Sequence, residues 1–97
     1  MYYSVCMFFK SERTDKREPL WEERIVLVSA LSEEEAMEKA TRNCERESEF
    51  KTEMGTQIKW QFHSIERVIL LDDLSDGTEL FSRFLSEHEA KSLISKL

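Results

Sequence analysis

The fold is decided by residues 21–36, WEERIVLVSALSEEEA, where a strand pattern gives way to a helix pattern. Residues 21–31 have a β-branched centre that is apolar on both faces, which predicts a strand buried from both sides. Ser32 is a favourable helix N-cap and Glu35 stands three residues later, so the pair predicts a capping box. Glutamates at 33–35 also suit the positive end of a helix dipole. These signals predict a helix over residues 33–47.

The predicted helix carries a narrow apolar stripe at helical spacing. The stripe consists of Ala36, Met37, Ala40 and Cys44. We expect the helix to pack on a sheet through these mostly small residues.

Upstream, residues 2–10 predict a strand with two different faces. One face carries Tyr3, Val5, Met7 and Phe9, and the less apolar face carries Tyr2, Ser4, Cys6 and Phe8. Residues 11–20 are charged and include Pro19, which indicates an exposed loop.

Downstream, residues 49–54 and 57–71 predict a hairpin around Met54-Gly55-Thr56. The alternation blurs beyond Ser64, which indicates a bulge or bend within residues 63–66. Residues 72–77, DDLSDG, predict a turn. Residues 78–85 are interpreted as a last strand, although their paired apolar residues would also suit a helix. Ser86 with Glu89 predicts a second capping box and a C-terminal helix to about Lys96.

These elements predict a single α+β domain over residues 1–97, in the order β-β-α-β-β-β-α. Short connections favour a mostly antiparallel sheet of about five strands. One helix packs on this sheet and cannot cover both of its faces. The second face therefore requires the C-terminal helix or a partner protein.

The charge distribution argues against two classes of partner. The net charge is −6, and residues 32–53 and 72–89 carry most of the acidic excess. No stripe of Lys and Arg is present to neutralise phosphate, so the sequence predicts no binding of nucleic acid or of an anionic membrane. No apolar run reaches the ~20 residues of a membrane span. The N-terminus does not resemble a signal peptide, so we expect a cytoplasmic protein with reduced thiols.

The residues that usually perform catalysis or bind metal are scattered. Cys6, Cys44, His63 and His88 are the candidate ligands, and their spacing matches no zinc motif. The neighbouring carboxylates are explained by helix starts and turns. No glycine-rich phosphate loop occurs either. The sequence therefore predicts no catalytic, cofactor or metal site, and it favours a non-enzymatic protein.

Aromatic residues offer a different type of site. Trp60 and Phe62 share one face of a strand, where they form either sheet core or a protein interface. Arg83 lies among apolar residues, where it can stack on a ring or form an ion pair with Glu22 or Glu23.

Three stretches resemble a bacterial family of small proteins known as domain of unknown function 4288. They are residues 21–36, Ile58-Lys-Trp-Gln-Phe62 and Asp76-Gly-Thr-Glu-Leu-Phe-Ser-Arg-Phe-Leu85. The resemblance covers residues 2–85 and implies a bacterial cytoplasmic α+β protein, without an activity or a cofactor. It marks Trp21, Glu22, Glu79, Ser82 and Arg83 as motif positions.

Three functional hypotheses follow. The leading one is a protein-interaction module that binds a protein partner or forms a homo-oligomer, through residues such as Trp21, Glu22, Trp60, Phe62, Glu79, Ser82 and Arg83. The second is an acidic immunity-type protein that neutralises a basic toxin. The third is a small enzyme, which would require Arg83, Glu22 and His63 to converge in a deep pocket.

Overall fold

The computed structural model describes residues 1–44, 49–51 and 55–94, with backbone only at 49–51. Its elements are β1 (Tyr2–Arg13), β2 (Trp21–Ser29), α1 (Glu33–Cys44), β3 (Glu49–Lys51), β4 (Gln57–Leu71) and α2 (Glu87–Ile94). In this part of the chain, the strands form one antiparallel sheet in the order β2-β1-β4-β3. The central strands are β1 and β4, while β2 and β3 lie at the edges.

The prediction of a five-stranded sheet in the order β-β-α-β-β-β-α is wrong. The described residues give β-β-α-β-β-α, and residues 78–85 form neither strand nor helix. Strand β3 pairs only with Gln57, Ile58 and Lys59 of β4, and residues 78–85 do not pair with the rest of that edge but are held by Arg67 and Glu23 over one face of the sheet. The α+β class and the antiparallel sheet are confirmed.

The main core lies between the sheet and α1, on what we call the helix face. Its buried side chains are Tyr3, Val5, Met7 and Phe9 of β1, Val28 and Ala30 around the end of β2, and Ala36, Ala40 and Cys44 of α1. The predicted alternation of β1 is therefore confirmed. Because Ala36, Ala40 and Cys44 have small side chains, the backbone of α1 can lie close to the sheet and leave no large void in the closely packed core.

Strand β4 contains two irregularities, and both fall in the predicted segment. Its pairing with β1 shifts register between Cys6 and Met7 and again between Phe8 and Phe9, which leaves Glu66 and His63 as the extra residues. Phe62 and Ile65 are three residues apart and would point to opposite faces of a regular strand. The extra residue His63 between them changes this, so both side chains point to the helix face. The predicted bulge within 63–66 is confirmed.

Both helices begin where the capping residues predict. At α2, the backbone N–H of Ser86 donates to Glu89 at 3.0 Å, and the N–H of Glu89 donates to Ser86 Oγ at 3.2 Å. At α1, Ser32 Oγ accepts from the N–H of Glu35 at 3.1 Å. The Glu35 carboxylate accepts from the N–H of Leu31, the residue before Ser32, instead of from Ser32 itself. The predicted continuations at residues 45–47, 52–54 and 95–96 lie outside the described residues.

Strand bounds differ modestly from the prediction. Strand β1 continues to Arg13 rather than ending at residue 10, because Glu12 and Arg13 pair with Lys59 and Ile58 of the long β4. Strand β2 ends at Ser29 instead of residue 31, and the prediction that it is buried from both sides is wrong, because it is an edge strand with Ile25 and Leu27 exposed. The sequence predicts a turn over residues 72–77, and the structure has a hydrogen-bonded turn over residues 75–78, in which the N–H of Thr78 donates to the carbonyl of Ser75 at 3.1 Å.

Candidate interaction surface

The side of the sheet opposite α1, which we call the second face, is crossed by the chain after β4. We call residues 72–94 the arm. The guanidinium of Arg67 on β4 lies 5.5 Å from the Phe81 ring and donates to the carbonyl of Ser82. Arg83 forms an ion pair with Glu23 of β2 at 3.3 Å. The arm is thus anchored at two points on the second face.

These anchors explain why two small residues on the second face are buried. Ser4 and Cys6 of β1 are 3% and 1% exposed, although α1 packs on the opposite side. Cys6 lies on the central strand β1, with β4, which carries Arg67, on one side and β2, which carries Glu23, on the other. A segment held at both anchors therefore crosses over β1. We conclude that the part of the arm before α2 covers the centre of this face. Helix α2 does not provide this cover, while Ile25 and Leu27 on the same face stay exposed, so the need for a partner remains a prediction.

Cys6 is held as a neutral thiol beneath the arm. Its Sγ donates to Glu23 Oε2 at 3.7 Å. Burial raises the pKa of the Cys6 thiol, and the adjacent Glu23 carboxylate raises it further. Thiolate chemistry requires the opposite shift. His63 contacts Ser64 and Trp21 instead of the thiol. The imidazole of His63 is therefore not placed to take a proton from the Cys6 thiol.

Trp21 lies on the second face at the start of β2. Its ring meets the His63 ring edge-on at a centroid distance of 4.9 Å, and Lys10 Nζ lies 5.3 Å from it. The side chain is still 49% exposed. Trp21 is therefore fixed in orientation and accessible from solvent, which suits a contact residue.

The structure separates the predicted site residues into two groups. Trp21, Ser82 and Arg83 lie on the second face or in the arm over it, and Glu79 is an exposed arm residue. Glu22 faces the other way and forms an ion pair with Arg24 at 2.7 Å. The predicted ion pair of Arg83 therefore forms with Glu23.

Trp60 and Phe62 belong to the helix face, where they are partly buried against the main core. The Phe62 ring contacts the Phe9 ring edge-on at 6.0 Å. This placement supports the interpretation of both residues as sheet core.

Sequence reasoning missed Arg67 and Phe81. Glu66 and Arg67 interrupt the apolar pattern of residues 65–71, and a charged residue in such a pattern must pair or reach solvent. That interruption was a usable signal, but the partner is 15 residues away and follows from the path of the arm.

Beyond its anchors, the arm exposes apolar side chains. Leu80, Leu85, Leu93 and Ile94 are exposed, and Phe84 is fully exposed. No described residue of α2 is buried, and no Cα of α2 lies within 8 Å of a strand or of α1. The radius of gyration is 16.2 Å, against ~13 Å for a compact domain of this length. Helix α2 therefore projects from the body.

A second exposed apolar group lies on β2. Ile25 and Leu27 are 44% and 56% exposed, and both point to the second face beside the arm. We call this pair the β2 strip.

The residues required by the enzyme hypothesis do not converge. Arg83 pairs with Glu23, whereas Glu22 lies on the opposite face of the sheet and His63 packs on Trp21. Within the described ranges, no three His, Cys, Asp or Glu residues are grouped so that they could hold a metal ion. In the same ranges, none of the helices combines the length and apolarity needed to span a bilayer.

Comparison with known proteins places this arrangement in a family. The chain is a small α+β domain in which an antiparallel sheet is covered by a helix on one face and by an extended arm on the other. It belongs to the domain of unknown function family DUF4288, whose model matches residues 2–82. Neither the curated proteins nor the solved structures yield a match.

Proposed function

We propose that this domain is a non-enzymatic protein-interaction module that docks a partner protein through its arm. The observation that carries the proposal is the fully exposed Phe84 next to a projecting helix without a buried side chain. Single exposed apolar residues are ordinary on protein surfaces, but an apolar group concentrated on a projecting element indicates a contact site.

The energetics favour an apolar partner surface. Burying a Leu, Ile or Phe side chain stabilises a complex by roughly 1.5–3 kcal/mol before the costs of association. Phe84, Leu85, Leu93 and Ile94 together can therefore support a specific complex. Since an exposed amphipathic helix is typically bound in an apolar groove, we expect a partner with such a groove.

Photo-crosslinking in the native cell tests this proposal. A benzoylphenylalanine placed at Phe84 should yield one discrete adduct, and the additional change Leu93→Ser should remove it. The matched control places the same probe at Leu20, which is 53% exposed on the loop before β2. No adduct at Phe84, or equal adducts at both positions, would refute docking through the arm.

An acidic capture function is the second candidate, and the sheet register favours it. Ser29, Tyr2 and Leu71 are paired neighbours at one end of the sheet. The glutamates at 33–35 and the aspartates at 72, 73 and 76 follow Ser29 and Leu71 in the chain, so both acidic segments start from that end. A basic partner would be steered towards them. Association with a basic toxin whose rate does not fall as salt is raised would refute this alternative.

The proposal places the domain in the cytoplasm. Cys6 and Cys44 lie on opposite sides of the sheet, where no disulfide can join them to each other. Fractionation of cells that carry the native gene tests this placement, and recovery in an oxidising compartment would contradict it.

A further inference from the structure

Strand β2 is an edge strand with open backbone groups. It pairs with β1 on one side, and in the described part of the chain no strand lies on its other side. Exposed edges of this kind are templates for pairing with another chain.

The hydrogen bonds at the end of β2 show which of its residues point outwards. The N–H of Ala30 donates to the carbonyl of Met1 at 2.9 Å, and the carbonyl of Ser29 accepts from Lys39 Nζ at 2.7 Å. Along an antiparallel strand, the backbone N–H and C=O groups of successive residues point alternately to one side of the strand and to the other. The backbone groups of the even-numbered residues of β2 therefore bond to β1, and those of the odd-numbered residues point away from the sheet at its edge. The outward backbone groups thus belong to the residues of the β2 strip.

The edge lacks most of the features that prevent pairing. Strand β2 contains no Pro and no Gly, and its register with β1 has no bulge. Lys39 occupies the outward carbonyl of Ser29 only, at the end of the strand. The centre of the edge, at Ile25 and Leu27, combines open backbone groups with exposed apolar side chains.

We propose that a second copy of this chain pairs with β2, antiparallel, about a twofold axis at Val26. Ile25 then lies opposite Leu27 of the second copy, and the outward N–H and C=O groups of both residues bond across the axis. The inference builds on the proposed function as an interaction module, but it uses a different surface from the arm.

The register follows from matching side chains. With the axis at Val26, the exposed Ile25 and Leu27 face each other on the second face and Val26 faces Val26 on the helix face, while Arg24 faces Val28 next to them. An axis at Ile25 would place Glu23 opposite Leu27, and an axis at Arg24 would place two guanidinium groups opposite each other. Like charges directly opposite one another destabilise a strand pair, and aliphatic pairs stabilise it.

The expected interface is small, so the dimer should be concentration-dependent. Four half-exposed aliphatic side chains and one strand pair bury less than the ~1,200 Å² of a standard stable interface. We therefore expect a dissociation constant in the micromolar range or weaker.

Light scattering and sedimentation of the full chain test the dimer. At high micromolar concentration the mass should approach twice 11.5 kDa and fall on dilution. Leu27→Lys should weaken association by at least about thirtyfold, since the twofold axis places the change in the interface twice. Leu70→Lys is the matched control, because Leu70 is 51% exposed on the other face of the sheet and should leave association unchanged.

Disulfide trapping tests the register without weakening the strand pair. Val26→Cys should crosslink two copies, because residues on the axis form a non-hydrogen-bonded pair with Cα atoms ~4.5 Å apart, within disulfide range. Cys6 and Cys44 are buried, so the wild-type chain should not crosslink. Trapping at Arg24→Cys or Ile25→Cys but not at Val26→Cys would overturn the register.

A chain that stays monomeric at every concentration and gives no Val26→Cys crosslink would overturn the dimer. The photo-adduct at Phe84 is measured independently. Its persistence in a monomeric chain would leave the arm function standing, and its loss from a dimeric chain would refute the arm function alone.

Discussion

Arg67→Ala should release the arm from the second face and expose Cys6. Arg67 provides two of the arm's contacts, the ring contact with Phe81 and the hydrogen bond to the Ser82 carbonyl. An exposed cation–π contact is worth ~0.5–1 kcal/mol, and a hydrogen bond from a charged donor ~1.5 kcal/mol at the lower end of its range. Both contacts are partly solvated, so we expect the docked arm to lose about 2 kcal/mol.

That loss predicts a specific change in thiol reactivity. Cys6 is 1% exposed, so a thiol reagent reaches it only when the arm opens. Where the arm opens and closes faster than the reagent reacts, the labelling rate is proportional to the fraction of molecules with an open arm. Losing about 2 kcal/mol of docking free energy raises that fraction roughly thirtyfold. Arg83→Ala removes only the half-exposed ion pair with Glu23, worth ~0.2–1 kcal/mol, and should accelerate labelling by at most about fivefold.

Cys44 is the internal control for this experiment. It is the last residue of α1, is buried between that helix and the sheet, and donates to the carbonyl of Ala40 at 3.0 Å on the face opposite the arm. Mass spectrometry after timed alkylation reports both thiols in the same sample. An unchanged rate at Cys6 in Arg67→Ala would refute the covering role of the arm. A parallel rise at Cys44 would show global unfolding instead.

Three further changes test other parts of the structure. Ser86→Ala removes the N-cap of α2 and should cost that helix ~1 kcal/mol, seen by circular dichroism as lost helix with the sheet signal unchanged. Phe9→Ala should lower the free energy of unfolding in urea by about 3–5 kcal/mol, because Phe9 is fully buried, whereas Leu74→Ala at an exposed site should change it by less than ~0.5 kcal/mol. The hydrogen bond and ion pair with Arg13 lower the pKa of Asp15 to about 2. This pair should therefore stabilise the loop above pH ~4, and the stabilisation should be lost as the pH falls towards 2. In NMR titrations, Arg13→Gln should raise the pH at the titration midpoint of Asp15.

Local features of the fold followed from the sequence. The strand over residues 2–10, with Tyr3 and Phe9 on the buried face, and the two capping residues Ser32 and Ser86 each depend on neighbours within a few positions. The bulge within residues 63–66 also followed, because a break in a period of two is visible without knowledge of the partner strand.

The path of the arm did not follow from the sequence, for a topological reason. Residues 78–85 carry apolar residues that fit a strand, but a strand also requires a neighbour with free backbone groups. Residues 60–71 of β4 have no described partner on the side away from β1, so a free edge alone does not decide the path of this segment. The segment instead buries apolar surface by lying across the sheet, and its anchors Arg67 and Glu23 come from strands that are distant in sequence. The candidate site depends on these long-range contacts.

The family match divides the two proposed surfaces. It covers residues 2–82, which include all of β2 and the arm as far as the Ser82 anchor, and it stops before Phe84 and α2. Pairing through β2 depends only on the matched part, so we expect it to be a property of the family fold. Docking through α2 depends on residues beyond both the match and the resembling stretch that ends at Leu85, so we expect it to be particular to this chain. A second family member should therefore form the same β2 dimer even where its C-terminal segment gives no photo-adduct.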